Sequence, residues 1–86
     1  MVDIVLKLTK PEVTVSTTPN NVSNAILFRI YTPSAGSEAI ITIRDSANNI
    51  IGSMTQPSGF VEIMEKRATD TVEASTPIKC APVAYK

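Results

Sequence analysis

Cys80 follows Lys79 in the run Ile78-Lys79-Cys80-Ala81-Pro82. A thiol beside an ammonium is one arrangement that lowers a cysteine pKa and makes a nucleophile. The spacing argues against it here. Neighbours on a strand point to opposite faces, so Lys79 faces away from Cys80, and the thiol reads as a small buried hydrophobe. Glu62 and Glu65 could form an acid/base pair, but on a strand they too lie on opposite faces. They read as solvated charges or as ion-pair partners for Lys66 and Arg67. Asp45, Asn48 and Asn49 share one turn and offer oxygen ligands for Ca²⁺. A calcium loop needs alternating acidic positions, a mid-loop glycine and a terminal glutamate. This turn has one acid and no such spacing, so Asp and Asn bonding their own backbone is the better reading. The glycines stand alone at 36, 52 and 59, which leaves no phosphate-cradling loop. The chain has no histidine, which removes the commonest general base and metal ligand and the usual Ser-His-Asp and Cys-His triads. We therefore assign no catalytic residue, no cofactor site and no metal site, and expect no enzyme.

The elements that would position these residues are strands. Apolar residues recur with period two almost throughout. Val2, Ile4, Leu6 and Leu8 alternate, Pro11 interrupts, and Val13 and Val15 resume. After the turn-rich Thr17-Thr18-Pro19-Asn20-Asn21, the run Asn24–Thr32 sets Ile26, Phe28 and Ile30 on one face. Pro33–Ser37 is a loop by composition. Ala39–Arg44 and Ile50–Thr55 flank the polar turn Asp45–Asn49 and read as a β-hairpin. Gln56-Pro57-Ser58-Gly59 resembles a second hairpin turn. Ser75-Thr76-Pro77 breaks the chain before Ile78–Tyr85. The sum is about seven short strands in an all-β, immunoglobulin-like sandwich, one domain over residues 1–86. Pro11 and Pro82 are expected at edges or bulges, because proline donates nothing to a central ladder.

The stretch Val61–Val72, VEIMEKRATDTV, allows two readings. As a helix it would gather Val61, Met64, Ala68 and Val72 on one face. Pro57 and Gly59 just upstream favour a turn, so we read a strand from Phe60 to about Lys66, with Val61 and Ile63 inward. Arg67 to Ala74 is then a polar loop with at most one helical turn, capped by Thr69 or Asp70. Its charges are expected at one end of the sandwich, facing solvent or a neighbour.

Composition narrows the class. At 86 residues the chain suits one domain of modest stability. Lys plus Arg and Asp plus Glu number 8 each, so there is no basic surplus to neutralise phosphates, and nucleic acid is not an expected partner. Aromatics are few, which weighs against a glycan-stacking platform. One cysteine cannot form an internal disulfide. MVDIVLKLTKPEV lacks the pattern of a signal peptide. No apolar run approaches the roughly 20 residues of a membrane span. A soluble product of a reducing cytoplasm, with no membrane partner, is expected.

Residues 39–86 also carry a recognisable series of motifs: Ile51-Gly52, Pro57-Ser58-Gly59, Glu65-Lys66, Thr69-Asp70-Thr71 and Ala81-Pro82-Val83-Ala84-Tyr85. The series resembles small virion structural proteins of tailed phages, particularly marine cyanophages. Arg67 and Cys80 depart from that pattern. The resemblance implies a non-enzymatic structural protein of the virion, assembled in the host cytoplasm, with an immunoglobulin-like or related β-sandwich. It implies first a capsid decoration (cement) subunit bound to the major capsid protein. A neck, tail or fibre component contacting other virion proteins, or a free binding module, are the alternatives. A decoration subunit needs an adhesive surface and no active site, and an array of weak contacts adds up. An exposed edge strand could pair with a capsid strand. Val2–Thr9 is the candidate edge, its apolar face covered by a partner or by a neighbouring copy in a homo-oligomer.

Overall fold

The computed structural model describes residues 6–33 and 38–85. Val2–Val5 of the first expected strand, and Ser34–Ser37 of the expected loop, lie outside the described residues. The described residues form eight antiparallel strands: β1 (Leu6–Leu8), β2 (Val13–Val15), β3 (Leu27–Tyr31), β4 (Ala39–Arg44), β5 (Ile50–Gln56), β6 (Val61–Glu65), β7 (Thr71–Ala74) and β8 (Ile78–Tyr85). They form two sheets. One runs β1-β8-β3-β6, with β2 also paired to β8, and the other runs β5-β4-β7. This is the expected all-β sandwich.

The core lies between the sheets and follows from strand alternation. Phe28 and Ile30 of β3 and Ile78 and Cys80 of β8 point in from one sheet, each with no exposed surface. Ile41, Val72 and Ala74 meet them from the other. Val13, Ile43, Met54 and Met64 pack around this centre.

β8 is the hub of its sheet. Its first residues pair with β2 (Val15↔Ile78, Val13↔Cys80) and its last with β1 (Leu8↔Val83, Leu6↔Tyr85). Pro11 lies in the break between β1 and β2, as expected of an edge. Pro82 does not. It sits inside this central strand, opposite Phe28. In a strand, the N–H and C=O of one residue point to the same side. The Pro82 carbonyl accepts from Thr9 N at 3.1 Å, toward the β1–β2 side. The missing N–H therefore faces the break in that neighbouring strand, not the continuous ladder with β3.

Three further expectations are corrected. The segment Arg67–Ala74 is not all loop: Thr71–Ala74 is β7, with Val72 and Ala74 in the core. Its outer edge is covered. Val72 exchanges hydrogen bonds with Asn20 at 2.8 and 2.9 Å, and Ala74 N donates to Ser16 O at 2.8 Å. The turn after β5 is not a hairpin, because it carries the chain from one sheet to the other. Gly59, at φ 79°, donates to Thr32 O, Thr32 N donates to Phe60 O, and the buried Gln56 side chain donates to Phe60 O at 2.8 Å. These bonds tie the turn to the end of β3. Finally, Val61 and Ile63 face out, 44% and 38% exposed, while Met64 turns inward. Pairing with β3 sets this parity, because Met64 lies opposite the core residue Phe28 and Ile63 opposite Arg29.

The β4–β5 hairpin forms as expected. Asp45 Oδ1 accepts from Ala47 N and Asn49 N, both at 2.9 Å, and Asn48 takes a left-handed φ of 68°. A bulge gives β5 one extra residue, Ile51, between the Gly52↔Ile43 and Ile50↔Arg44 pairs. Arg44 forms an ion pair with Glu73 across the same sheet. Before β3, Val22, Ser23 and Asn24 all take positive φ (53°, 54° and 61°). That region is unfavourable for a β-branched residue. Burial of Val22 and the bond from its N–H to Asn20 Oδ1 at 2.7 Å hold the turn in place.

Candidate functional site

Cys80 lies in the core with no exposed surface, as a small hydrophobe would. Desolvation pushes its thiol up to about 12, and the charge of Glu12 adds to the rise. A thiolate is the reactive form, so this cysteine is inert while the chain is folded. A water-soluble disulfide reagent is expected to label it only through unfolding. Its labelling rate should climb with urea in step with the unfolding transition; rapid labelling of the native protein would contradict this placement.

Glu62 and Glu65 are both exposed and lie on opposite faces of β6, so they make no pair. Asp45, Asn48 and Asn49 do meet in one turn, but the Asp45 carboxylate is occupied by backbone N–H groups. Those bonds, led by the one from Asn49, hold it below its ordinary pKa. Among the described residues, no three acidic or thiol side chains gather where a metal could be held. Among the same residues, no helix is long and apolar enough to cross a membrane.

The charged stretch after β6 departs most from expectation. Lys66 and Asp70 are not solvated; they are 6% and 4% exposed. The Lys66 ammonium donates to Ala25 O at 2.6 Å and to Arg67 O at 3.2 Å, and it lies 5.9 Å from the centre of the Phe28 ring. Its backbone N–H donates to Ile26 O at 2.7 Å. Asp70 closes the following turn, accepting from Arg67 N at 3.1 Å through its side chain while its own N–H donates to Arg67 O at 3.0 Å. Asp70 is thus the turn-capping residue, without a helical turn. Burial holds the Lys66 ammonium below its ordinary pKa, and the nearby charge of Asp70 acts against that shift. The pair closes one end of the core. Lys66 shares the inward parity of Met64, which pairing with β3 sets, whereas a lysine at a strand end is usually solvated.

Among the described residues, most of the exposed large apolar side chains lie on the side where β5 and β6 form the edges of the two sheets. Ile50, Ile51, Phe60, Val61 and Ile63 are exposed along these strands and their connection. A cleft of about 300 Å³ opens between β5 and β6, walled by Ile41, Ile43, Met54 and Met64, with Ile51, Lys66 and Asp70 also in its lining. Gly52 contributes no side chain to this lining, and a Cβ placed there would meet nothing within 4 Å. The sequence pointed instead to the first segment. Leu6–Leu8, the strand described within that segment, is indeed at an edge, with Leu8 74% exposed.

Comparison with protein-family models, with curated protein sequences and with solved structures returns no match.

Proposed function

We propose that this protein is a non-enzymatic structural protein of a phage virion, a capsid decoration subunit that binds the major capsid protein through strand edges. The observation that carries this reading is the open β5–β6 side. It combines two sheet edges with exposed Ile50, Ile51, Phe60, Val61 and Ile63. Exposed apolar surface of this kind marks contact with another macromolecule, and strand edges recognise extended segments through backbone hydrogen bonds. The motifs over residues 39–86 supply the virion context, because a fold by itself does not specify a role.

Copy number tests the proposal. Quantitative mass spectrometry on purified particles of a phage encoding this chain is expected to find hundreds of copies per virion. A handful to a few dozen would place it in the neck, tail or fibres. Its absence from particles would overturn the virion reading and favour a free binding module.

A further inference from the structure

The edges of this sandwich are not equivalent. β6 presents Glu62 and Glu65, and β1 carries Lys7. β5 has seven residues, Ile-Ile-Gly-Ser-Met-Thr-Gln, with no charge and no proline. Charged residues and prolines are the usual devices that keep an edge from pairing. The bulge at Ile51 disturbs only the start of β5, and Gly52–Gln56 pairs regularly with β4.

The direction of its free hydrogen-bonding groups follows from the ladder. Ile40 directs its backbone toward β7, where it accepts from Ser75 N at 3.1 Å and donates to Ser75 Oγ at 2.9 Å. Thr55, opposite Ile40, therefore directs its own N–H and C=O away from β4. Alternation gives Ser53, opposite Thr42, the same outward direction. Both side chains are exposed.

We propose that β5 is a self-association edge, pairing antiparallel with β5 of a second copy about a twofold axis at Met54. In this register Ser53 lies opposite Thr55 of the second copy, and the outward backbone groups satisfy one another. Facing hydroxyl side chains are a favourable cross-strand pair. Self-pairing of an edge that carries one sign of charge brings like charges close across the axis, which destabilises where they stand opposite, and the uncharged β5 avoids this. The two Met54 side chains meet on the side of the inter-sheet cleft and cover its apolar mouth. The result is a six-stranded sheet, β7-β4-β5-β5-β4-β7. It can form in the isolated protein, and it occupies the β5 edge while leaving the β6 edge, with Phe60, Val61 and Ile63, for a capsid partner.

Sedimentation equilibrium on the purified chain tests this. An interface built on one strand edge is small, so the expected result is a monomer–dimer equilibrium with a Kd of about 10–100 μM. The amides of Ser53 and Thr55 should exchange more slowly as concentration rises. Thr55→Pro removes an outward N–H while sparing the β4 ladder, and it should be monomeric with an unchanged circular dichroism spectrum. Should Thr55→Pro fail to fold, the exposed double variant Ser53→Lys with Thr55→Lys opposes lysines across the axis and should be monomeric instead. A wild-type chain that stays monomeric to about 1 mM overturns the proposal. So does a dimer that survives these substitutions.

Discussion

Phe28→Ala is expected to lower stability by about 3–5 kcal/mol, the range for truncating a fully buried aromatic side chain. Phe28 has no exposed surface and heads the largest fully buried side chains. It stands on the inner face of the five-stranded sheet, between Met64 of β6 and Pro82 of β8. With only four aromatics in the sequence, no second large side chain stands ready to fill the space. A domain of 86 residues has a total stability of roughly 4–13 kcal/mol. The loss therefore removes from about a quarter to all of that total, and the urea midpoint should fall accordingly. Urea unfolding followed by circular dichroism checks this, and a loss below about 1 kcal/mol would contradict the placement of the ring.

The second large effect is at Lys66. Lys66→Glu is expected to cost about 3–5 kcal/mol, because it buries a carboxylate near Asp70 and against the carbonyls of Ala25 and Arg67. Lys66→Met keeps the apolar stem over Phe28 and removes the buried charge. It gives up hydrogen bonds to two carbonyls but no longer desolvates an ammonium, so its cost should stay below about 2 kcal/mol. A solvated lysine would make both changes nearly neutral.

Titration of the same residue gives an independent check. Its pKa in the fold lies below the ordinary 10.5, chiefly through burial. Between the folded and unfolded values the unfolded chain holds more protons, so stability rises with pH across that window, up to 10.5. Cys80 acts in the opposite sense. Its folded pKa of about 12 lies above the ordinary 9.0, so its contribution is complete below pH 9.0 and declines above it. Stability curves measured in a Cys80→Ala background should isolate the Lys66 rise, and Lys66→Met should abolish it.

Much of the fold was legible because period-two alternation and turn chemistry act locally. The β4–β5 hairpin, the Asp45 turn and the burial of Phe28, Ile30 and Cys80 follow from neighbours in sequence. What escaped was set by distant partners. The apolar residues of Phe60–Met64 fall on both parities, and only pairing with β3 decides that Met64, not Val61 and Ile63, faces the core. β7 carries just two core residues, Val72 and Ala74, behind strong turn signals, and its strand form depends on pairing with β4 and on cover from Ser16 and Asn20. Lys66 and Asp70 read as solvated because charges usually are. The Lys66 ammonium is held by Ala25, some forty residues away in sequence.

The position of β8 also governs the order in which the molecule can assemble. β4 and β5 adjoin through a short turn and can form within microseconds. β1, β2 and β3 all await a strand that is synthesised after every other element described, and closing contacts such as Leu6↔Tyr85 spans nearly the whole chain. Folding dominated by such distant pairings proceeds on the order of milliseconds to seconds. During translation, Phe28 and Ile30 remain without one of their two neighbouring strands until Ile78–Tyr85 leaves the ribosome. The nascent chain therefore holds β3, which carries two of the largest fully buried side chains, partly unpaired through most of its synthesis, and the five-stranded sheet is completed only after translation of β8.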